Sequence, residues 1–185
     1  MKTILLLALT STTSVALING PTKVDVEKST IKWHAAKVTG EHHGTVELKD
    51  ATLTFDDGKL MGGNFVVDMT TIANKDLEGN WKDKLEGHLK SDDFFGVKDH
   101  PTASFEITEV KDMGSDKYKI TGDMTIKGQT HPLSFDATVK NNTASATLEI
   151  DRTKYNVRYG SDKFFDNLGD KTIYDEFQLE ISLKY

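Results

Sequence analysis

The sequence predicts an all-β protein, an eight-stranded antiparallel barrel with one amphipathic helix packed against it. Apolar residues alternate with period two along most of the chain, which is typical of strands that are buried on one face and solvated on the other. Short turns separate these strands, so neighbouring strands form antiparallel hairpins. One segment instead repeats its apolar residues every four positions. Closing such a sheet into a barrel protects its two edge strands.

The predicted strands follow one another with turn residues between them. Their apolar positions run from Ile31 to Ala35, Val46 to Phe55, Phe65 to Met69, Ala103 to Ile107, Tyr118 to Ile126, Leu133 to Val139, Ala144 to Ile150 and Phe177 to Leu183. The count is eight if Val46 to Phe55 forms one long bent strand, and nine if it forms two. The predicted turns, rich in Gly, Asn and Asp, which favour tight turns, lie at 56–58, 62–63, 113–116, 127–128 and 141–142.

A single helix interrupts the strands. Leu77, Trp81, Leu85 and Leu89 recur every four residues while charged residues occupy the other positions, which predicts an amphipathic helix over 77–89. Two glycines weaken this helix, so we expect tertiary packing against the barrel to hold it.

The first residues have the features of a secretory signal peptide. A positive charge precedes an apolar run at 4–9, and the small residues Ser14 and Ala16 stand at the minus-three and minus-one positions of a cleavage site. The apolar run is too short for a membrane anchor. We therefore expect residues 1–16 to be removed and 17–185 to form one domain in the periplasm or outside the cell.

Composition and charge exclude several function classes. The net charge of −6 argues against nucleic acid as a partner and against electrostatic docking on an anionic membrane. An apolar contact with lipid stays open, although we do not expect stable membrane insertion. The chain has no cysteine, which rules out disulfides, thiolate catalysis and cysteine metal sites. A homodimer is compatible with the sequence.

The residues that often carry catalysis form no recognisable motif. The six histidines are His34, His42, His43, His88, His100 and His131, and no two have the i, i+4 spacing of a helical zinc site. Distant residues would have to converge to bind a metal. No serine lies in a nucleophile elbow, and no glycine-rich phosphate loop is present. An envelope hydrolase or a metal-dependent enzyme that uses the histidines remains an alternative.

The two arginines, Arg152 and Arg158, stand out among 23 basic residues. Counting by two from Leu148 and Ile150 places Arg152 at the end of an inward-facing set. Its planar fork could meet the polar end of a ligand at the mouth of the barrel. The alternative is an internal ion pair, for which the candidate partners are Asp151, Asp166, Asp170 and Asp175.

An eight-stranded barrel is just wide enough to be filled by side chains or to hold one small ligand. Aromatic and aliphatic walls with a few small residues suit a slender apolar chain better than a flat polar substrate. The alternative is a filled core in an adaptor that binds protein on its surface. The expected apolar wall residues are Trp33, Phe65, Met69, Trp81, Leu85, Phe94, Phe95, Phe105, Ile107, Ile120, Met124, Phe135, Leu148 and Ile150. Arg152 and Arg158 are the candidates for the polar end.

Several stretches, taken in order, resemble a known family. They lie at 40–44 (GEHHG), 62–69, 85–95, 100–105 (HPTASF), 122–128 (GDMTIKG) and 151–153 (DRT). Together they are similar to the YceI-like family of secreted bacterial proteins, also called the polyisoprenoid-binding or lipid-binding family. The resemblance implies a lipocalin-like barrel whose lumen holds a polyisoprenoid, an isoprenoid quinone or a fatty-acid derivative. It implies no catalysis and no cofactor besides this lipid. Tyr155-Asn156 stands where Phe-Gly is commoner in the family.

Overall fold

The computed structural model describes residues 17–185. The predicted signal peptide, residues 1–16, lies outside this range. Within it, eight antiparallel strands close into a barrel and one helix packs against them, so the predicted fold class is confirmed. No helix of residues 17–185 is long and apolar enough to span a bilayer.

The chain alternates between long strands and short turns, with two longer connections. The strands are β1 Gly20–Lys23, β2 Thr30–Lys37, β3 Gly40–Asp56, β4 Lys59–Asn74, β5 Thr102–Gly114, β6 Lys117–Ile126, β7 Gln129–Lys140, β8 Thr143–Asp151 and β9 Ile173–Lys184, and the helix is α1 Gly79–Lys90. Short 3-10 turns occupy Val26–Lys28, Arg152–Tyr155 and Gly169–Lys171.

The barrel closes through the pairing of β4 with β3. Around the barrel the order is β3, β2, β9, β8, β7, β6, β5 and β4. β3 is one long strand with register shifts near Thr45 and Leu48, so the count of eight barrel strands is confirmed. The short strand β1 pairs with the far half of β3, placing Gly20 opposite Phe55. The sequence gives no signal for β1, because its four residues lack apolar alternation.

The two ends of the barrel differ in their connections. One end, called here the hairpin end, carries the tight β3–β4, β5–β6 and β7–β8 turns. Asn141 and Asn142 both have positive φ, at 53° and 56°, as a two-residue hairpin turn requires. The other end, called the loop end, carries the long connections 75–101 and 152–172. Functional groups are commonly built on such loops.

One predicted turn is wrong. Gly62 and Gly63 lie inside β4, opposite Thr54 and Leu53 of β3. A Cβ on Gly63 would stand 2.7 Å from the carbonyl oxygen of Thr52, so the glycine permits a close approach of two strands. Gly63 therefore serves strand packing, a Cβ on Gly62 would meet nothing within 4 Å, and neither glycine reverses the chain.

Hydrogen bonds from Asn74, at the end of β4, anchor α1 to the barrel. The backbone N–H of Asn74 donates to Glu86 Oε1 of the helix at 2.8 Å, and the side-chain Oδ1 of Asn74 accepts from the backbone N–H of Leu77 at 2.8 Å. The Asn74 side chain also donates to Asp76 Oδ1 at 2.6 Å. Asn74 is fully buried, so these bonds satisfy a polar group that would otherwise be costly to bury. Helix α1 packs against β4, as expected from the need for tertiary support.

Candidate functional site: an apolar cavity within the barrel

The barrel encloses a cavity of about 180 Å³. All eight barrel strands contribute to its wall, and nearly all of the lining side chains are aliphatic or aromatic. The cavity extends from Leu60 and Leu183, near the hairpin end, to Arg152 and Tyr174 at the loop end. Its long axis therefore follows the axis of the barrel.

Most of the wall residues expected from the sequence do line this cavity. Those on the cavity are Trp33, Phe65, Met69, Phe94, Phe95, Phe105, Ile107, Ile120, Met124, Phe135, Leu148 and Ile150. They lie together because inward positions recur at every second residue of each strand. Phe94 and Phe95 reach the cavity from the turn after α1, where the Phe95 amide donates to the Leu89 carbonyl at 3.1 Å.

Two expected wall residues on α1 do not line the cavity. Trp81 is 70% exposed and Leu85 is half-buried, and neither borders the cavity. Only Leu89, near the end of the helix, does so. The four-residue repeat correctly marks one helix face, but α1 meets the cavity only at its C-terminal end. The placement of Trp81 and Leu85 in the wall is therefore wrong.

The sequence-based list of wall residues misses part of the site. The missed residues on β2, β3 and β9 belong to the same alternating sets, and include Ile31, Val46, Leu48, Leu53, Phe177, Leu179, Ile181 and Leu183. The alternation of apolar residues along these strands is enough to predict most of them. Ile173 and Tyr174 also line the cavity, but they follow an irregular loop where no periodicity operates.

Two aromatic rings lie directly against wall glycines. A Cβ on Gly44 would stand 2.5 Å from Trp33 Cζ2, and one on Gly122 would stand 2.6 Å from Phe105 Cζ. Each ring thus occupies space next to the backbone that a larger residue would fill. Phe105 also packs on Phe135, with ring centroids 5.5 Å apart. Small residues on the wall, among them Ala103 and others on β7 and β8, leave room around these rings.

Arg152 lies at the loop end of the cavity and binds the backbone of the loop there. It is 3% exposed. Its Nε donates to the Tyr174 carbonyl at 3.0 Å, Nη1 donates to the Val157 and Tyr159 carbonyls at 2.8 and 2.9 Å, and Nη2 donates to the Ile173 carbonyl at 2.9 Å. Burial lowers the pKa of Arg152, but the guanidinium group stays protonated because its usual pKa is so high.

The remaining donor of Arg152 faces a buried carboxylate. Nη2 lies 3.5 Å from Asp175 Oδ1, and Lys163 Nζ lies 2.9 Å from Asp175 Oδ2. The internal ion pair considered for Arg152 is thus present, with Asp175 as partner. Four of the five guanidinium N–H groups donate to backbone carbonyls, whereas the contact with Asp175 is an ion pair without a hydrogen bond, and Asp175 Oδ1 accepts none. Arg152 borders the cavity, but most of its donors are engaged by the protein backbone.

Arg158 does not line the cavity. It is exposed, and its guanidinium carbon lies 4.7 Å from the centroid of the Phe164 ring. It lies away from the cavity because alternation ends at Asp151 and the 3-10 turn Arg152–Tyr155 redirects the chain. Asn156, where the family usually has glycine, adopts the left-handed conformation at φ 58°, which asparagine tolerates well.

The histidines lie outside the cavity wall. His42 Nδ1 is 2.7 Å from Asp76 Oδ2, and the His43 amide donates to Asp76 Oδ1 at 2.8 Å. Burial acts to raise the pKa of Asp76, but these hydrogen bonds outweigh it and the pKa is lowered. His88 packs against the rings of Phe94 and Tyr159. Among residues 17–185, no three His, Asp or Glu side chains gather in a way that could hold a metal ion.

The barrel wall has a weak seam between β7 and β8. The two strands pair only from Ala137 opposite Ala146 to Lys140 opposite Thr143. Towards the loop end, β7 pairs only with β6 and β8 only with β9. Tyr155 packs on His131 of β7 here, with ring centroids 5.4 Å apart. In this part of the wall β7 and β8 share no backbone ladder.

Comparisons with known proteins agree with this architecture. The family model described as "YceI-like domain" matches residues 23–185. A UPF0312 protein of Pseudomonas putida strain W619 is 36% identical over 96 residues, which cover 52% of this chain and 48% of that protein. The chain thus spans about half the length of the curated relatives it matches.

Solved structures share the fold. BcnA of Burkholderia cenocepacia is 25% identical, with a TM-score of 0.71 over 86% of this chain and 98% of that chain. A polyisoprenoid binding domain from Saccharophagus degradans, implicated in plant cell wall breakdown, is 12% identical, with a TM-score of 0.59 over 90% of this chain and 97% of that one. The family model covers nearly all of the described residues, which confirms the resemblance seen in the sequence. The chain belongs to the YceI-like domain family.

Proposed function

We propose that this protein binds one long apolar chain inside the barrel, without catalysis. The ligand class is an isoprenoid, an isoprenoid quinone or a fatty-acyl derivative. The observation that carries this proposal is the apolar cavity that follows the barrel axis and is lined by nearly continuous hydrocarbon. Each methylene moved from water into such surroundings contributes about 0.8 kcal/mol. A slender hydrocarbon chain gains more from this cavity than a polar substrate does.

The size of the cavity bears on how such a chain fits. An apolar cavity of about 150 Å³ stays dry and takes up benzene-sized molecules. The cavity here, at about 180 Å³, is of that order. A longer chain therefore needs some lining side chains to shift. Met69 and Met124 are suited to this, because an unbranched thioether side chain adapts its shape at low cost.

The family supports the same ligand class. The Saccharophagus degradans domain is described as polyisoprenoid-binding. At 12% identity that likeness establishes the fold, and the extension of its ligand class to this chain is our proposal. It agrees with a cavity wall that presents few polar groups.

We further propose that the protein works outside the cytoplasm, as a carrier or store of its ligand. The basis is the signal-peptide pattern of residues 1–16. An exported protein that shields an apolar chain from water would let that chain cross an aqueous compartment. No specific observation favours the hydrolase alternative, since no histidine lines the cavity. None favours the adaptor alternative either, since the barrel interior is not completely filled.

Mass spectrometry of an organic extract from natively purified protein tests the proposal. We expect one isoprenoid or fatty-acyl species per chain, because a buried apolar tail has no favourable place in water. An empty extract together with no uptake of a fluorescent long-chain fatty acid would overturn the proposal.

A matched pair of variants locates the ligand. Ala146→Trp places a large side chain in the cavity, whereas Thr147→Trp places it on the outer face of the same strand. With both variants folded by circular dichroism, we expect Ala146→Trp to lose most of its uptake and Thr147→Trp to keep it. Equal uptake by the two variants would place the ligand elsewhere.

A further inference from the structure

Four large aromatic side chains are exposed at the loop end of the barrel. Tyr159, Phe164, Phe165 and Tyr174 are 47%, 43%, 49% and 52% exposed, respectively. We call this group the aromatic collar. The first three lie in the connection 152–172 between β8 and β9, and Tyr174 is the second residue of β9. Exposed aromatic residues grouped in this way mark contact surfaces more often than scattered apolar residues do.

The collar lies at the mouth of the cavity. Tyr174 and its neighbour Ile173 line the cavity while the Tyr174 side chain remains half exposed. Arg152 binds the backbone carbonyls of both Tyr159 and Tyr174, so one guanidinium group fixes the two tyrosines beside each other. Tyr159 also packs on the ring of His88, with centroids 4.5 Å apart, which ties the collar to the end of α1.

The turn that carries the two phenylalanines is anchored at its base. The Phe164 and Phe165 amides both donate to the carbonyl of Ser161, which is fully buried. Next to them, Lys163 binds Asp175 at 2.9 Å and Asp151 at 3.4 Å. The ion pairs of Lys163 thus fasten the loop to the ends of β8 and β9. Its phenylalanine rings remain on the surface even though the base of the loop is well packed.

The chemistry of the collar favours a lipid surface over a protein partner. Tyrosine rings suit the level of lipid headgroups, and phenylalanine suits the acyl region just below. Arg158 lies over the Phe164 ring at 4.7 Å, so a cation that suits a headgroup phosphate stands beside the apolar rings. The whole chain carries a net charge of −6, so attachment has to rest on apolar contact and not on attraction to anionic lipid.

We propose that the aromatic collar docks the loop end of the barrel on a phospholipid bilayer, so that an apolar chain passes between the membrane and the cavity. This inference rests on the proposed function, because the collar gives such a chain a path that avoids water. Docking is peripheral and reversible. It depends little on salt or on the fraction of anionic lipid.

The test uses the purified protein and phosphatidylcholine vesicles. Phe164→Ser/Phe165→Ser removes half of the collar. The matched control, Met61→Ser/Met113→Ser, removes two residues that are each 57% exposed near the hairpin end and lie off the cavity wall. Vesicle sedimentation gives the bound fraction. The rate at which a fluorescent long-chain fatty acid moves from the vesicles to the protein measures transfer between membrane and cavity.

We expect the phenylalanine variant to lose about tenfold in vesicle affinity and transfer rate, since two half-exposed rings each forfeit part of a buried phenylalanine's transfer free energy. The methionine variant should behave as wild type. Equal vesicle binding by the two variants, or no vesicle binding by the wild type, would overturn docking and favour a protein partner for the collar. Uptake of the same fatty acid from vesicle-free solution reports on the cavity alone. If the wild type takes up no fatty acid in the absence of vesicles, the proposed function itself is contradicted.

Discussion

The ring of Phe105 lies against the backbone of Gly122, so closely that a Cβ on the glycine would stand 2.6 Å from Phe105 Cζ. The two residues belong to neighbouring strands, with Gly122 opposite Ile107. Phe105 is 7% exposed and packs on the rings of Phe65 and Phe135. The glycine therefore determines how close to the wall this ring can lie, and with it the free space along the barrel axis.

Gly122→Ala should destabilise the protein. The new methyl group would meet the Phe105 ring and the carbonyl oxygen of Glu106, and the second of these belongs to the backbone and cannot easily move. We expect a loss of about 1–3 kcal/mol in the free energy of unfolding, the usual cost of overpacking a core. Urea unfolding measures it.

The control for this substitution is Gly87→Ala. A Cβ at Gly87 meets nothing within 4 Å, and the residue is exposed in α1. Alanine is the better helix former, so this variant should gain up to about 1 kcal/mol. A neutral effect of Gly122→Ala would show that both the Phe105 ring and the Glu106 carbonyl shift at little cost, and would contradict the overpacking expected here.

The strands were predictable because a half-buried strand must alternate, and eight segments did so over most of their length. Two errors have physical reasons. β1 has no alternation and is held mainly by its pairing with β3, which a local pattern does not reveal. Gly62 and Gly63 resemble a turn because glycine is common where the chain reverses, but both lie inside β4, where Gly63 is needed for the close approach of β3.

Arg152→Lys should destabilise the protein much more than Arg158→Lys. A lysine has three donors on one nitrogen and cannot reproduce the fork that holds four carbonyls at the loop end. Removing one partner of a buried ion pair costs about 3–5 kcal/mol. Since lysine keeps the charge, we expect a smaller loss of about 1–3 kcal/mol.

Arg158 is exposed and makes a stacking contact with Phe164, so its substitution should change the free energy of unfolding by less than about 0.5 kcal/mol. Thermal and urea unfolding of both variants provide the comparison. Similar losses in the two proteins would mean that the carbonyl contacts of Arg152 contribute little.

The cavity was predictable where a strand supplies its wall and not where a loop or a helix does. Phe105 and Trp33 follow from alternation alone. Ile173 and Tyr174 lie where an irregular loop joins β9, and their inward position depends on Arg152 holding their carbonyls. For α1, a repeat of four indicates the apolar face but not which end of the helix adjoins the barrel, and this is why Trp81 was misplaced.

The protein should become less stable in acid because the stabilising contribution of the Asp151 carboxylate is lost on protonation. Burial acts to raise the pKa of Asp151, but hydrogen bonds from Thr153 and Lys163 outweigh it, and the pKa falls below its usual 3.8. A carboxyl group with a depressed pKa in the folded state stabilises that state above pH 3.8, and this contribution is lost as the pH falls through the folded-state pKa.

We therefore expect the difference in unfolding free energy between the wild type and Asp151→Asn to shrink as the pH falls below about 4. Urea unfolding at several pH values measures this difference. Asp123→Asn, which alters an exposed residue of β6, serves as the control and should differ little from the wild type at any pH. A constant difference for Asp151→Asn across the range would contradict the assignment.

Ligand binding should be reported by Trp33 and not by Trp81. These are the two tryptophans of the chain. Trp33 is 8% exposed and lines the cavity, whereas Trp81 is 70% exposed, with Lys84 Nζ 4.9 Å from its ring centroid. A brominated long-chain fatty acid quenches an indole that it contacts, so a ligand in the cavity should reach only the buried ring. We expect Trp81→Phe to retain the full quenching and to remove only the red-shifted, solvent-exposed part of the emission. If quenching disappears with Trp81, the fatty acid binds outside the barrel near the start of α1, because no path inside the cavity leads to that ring.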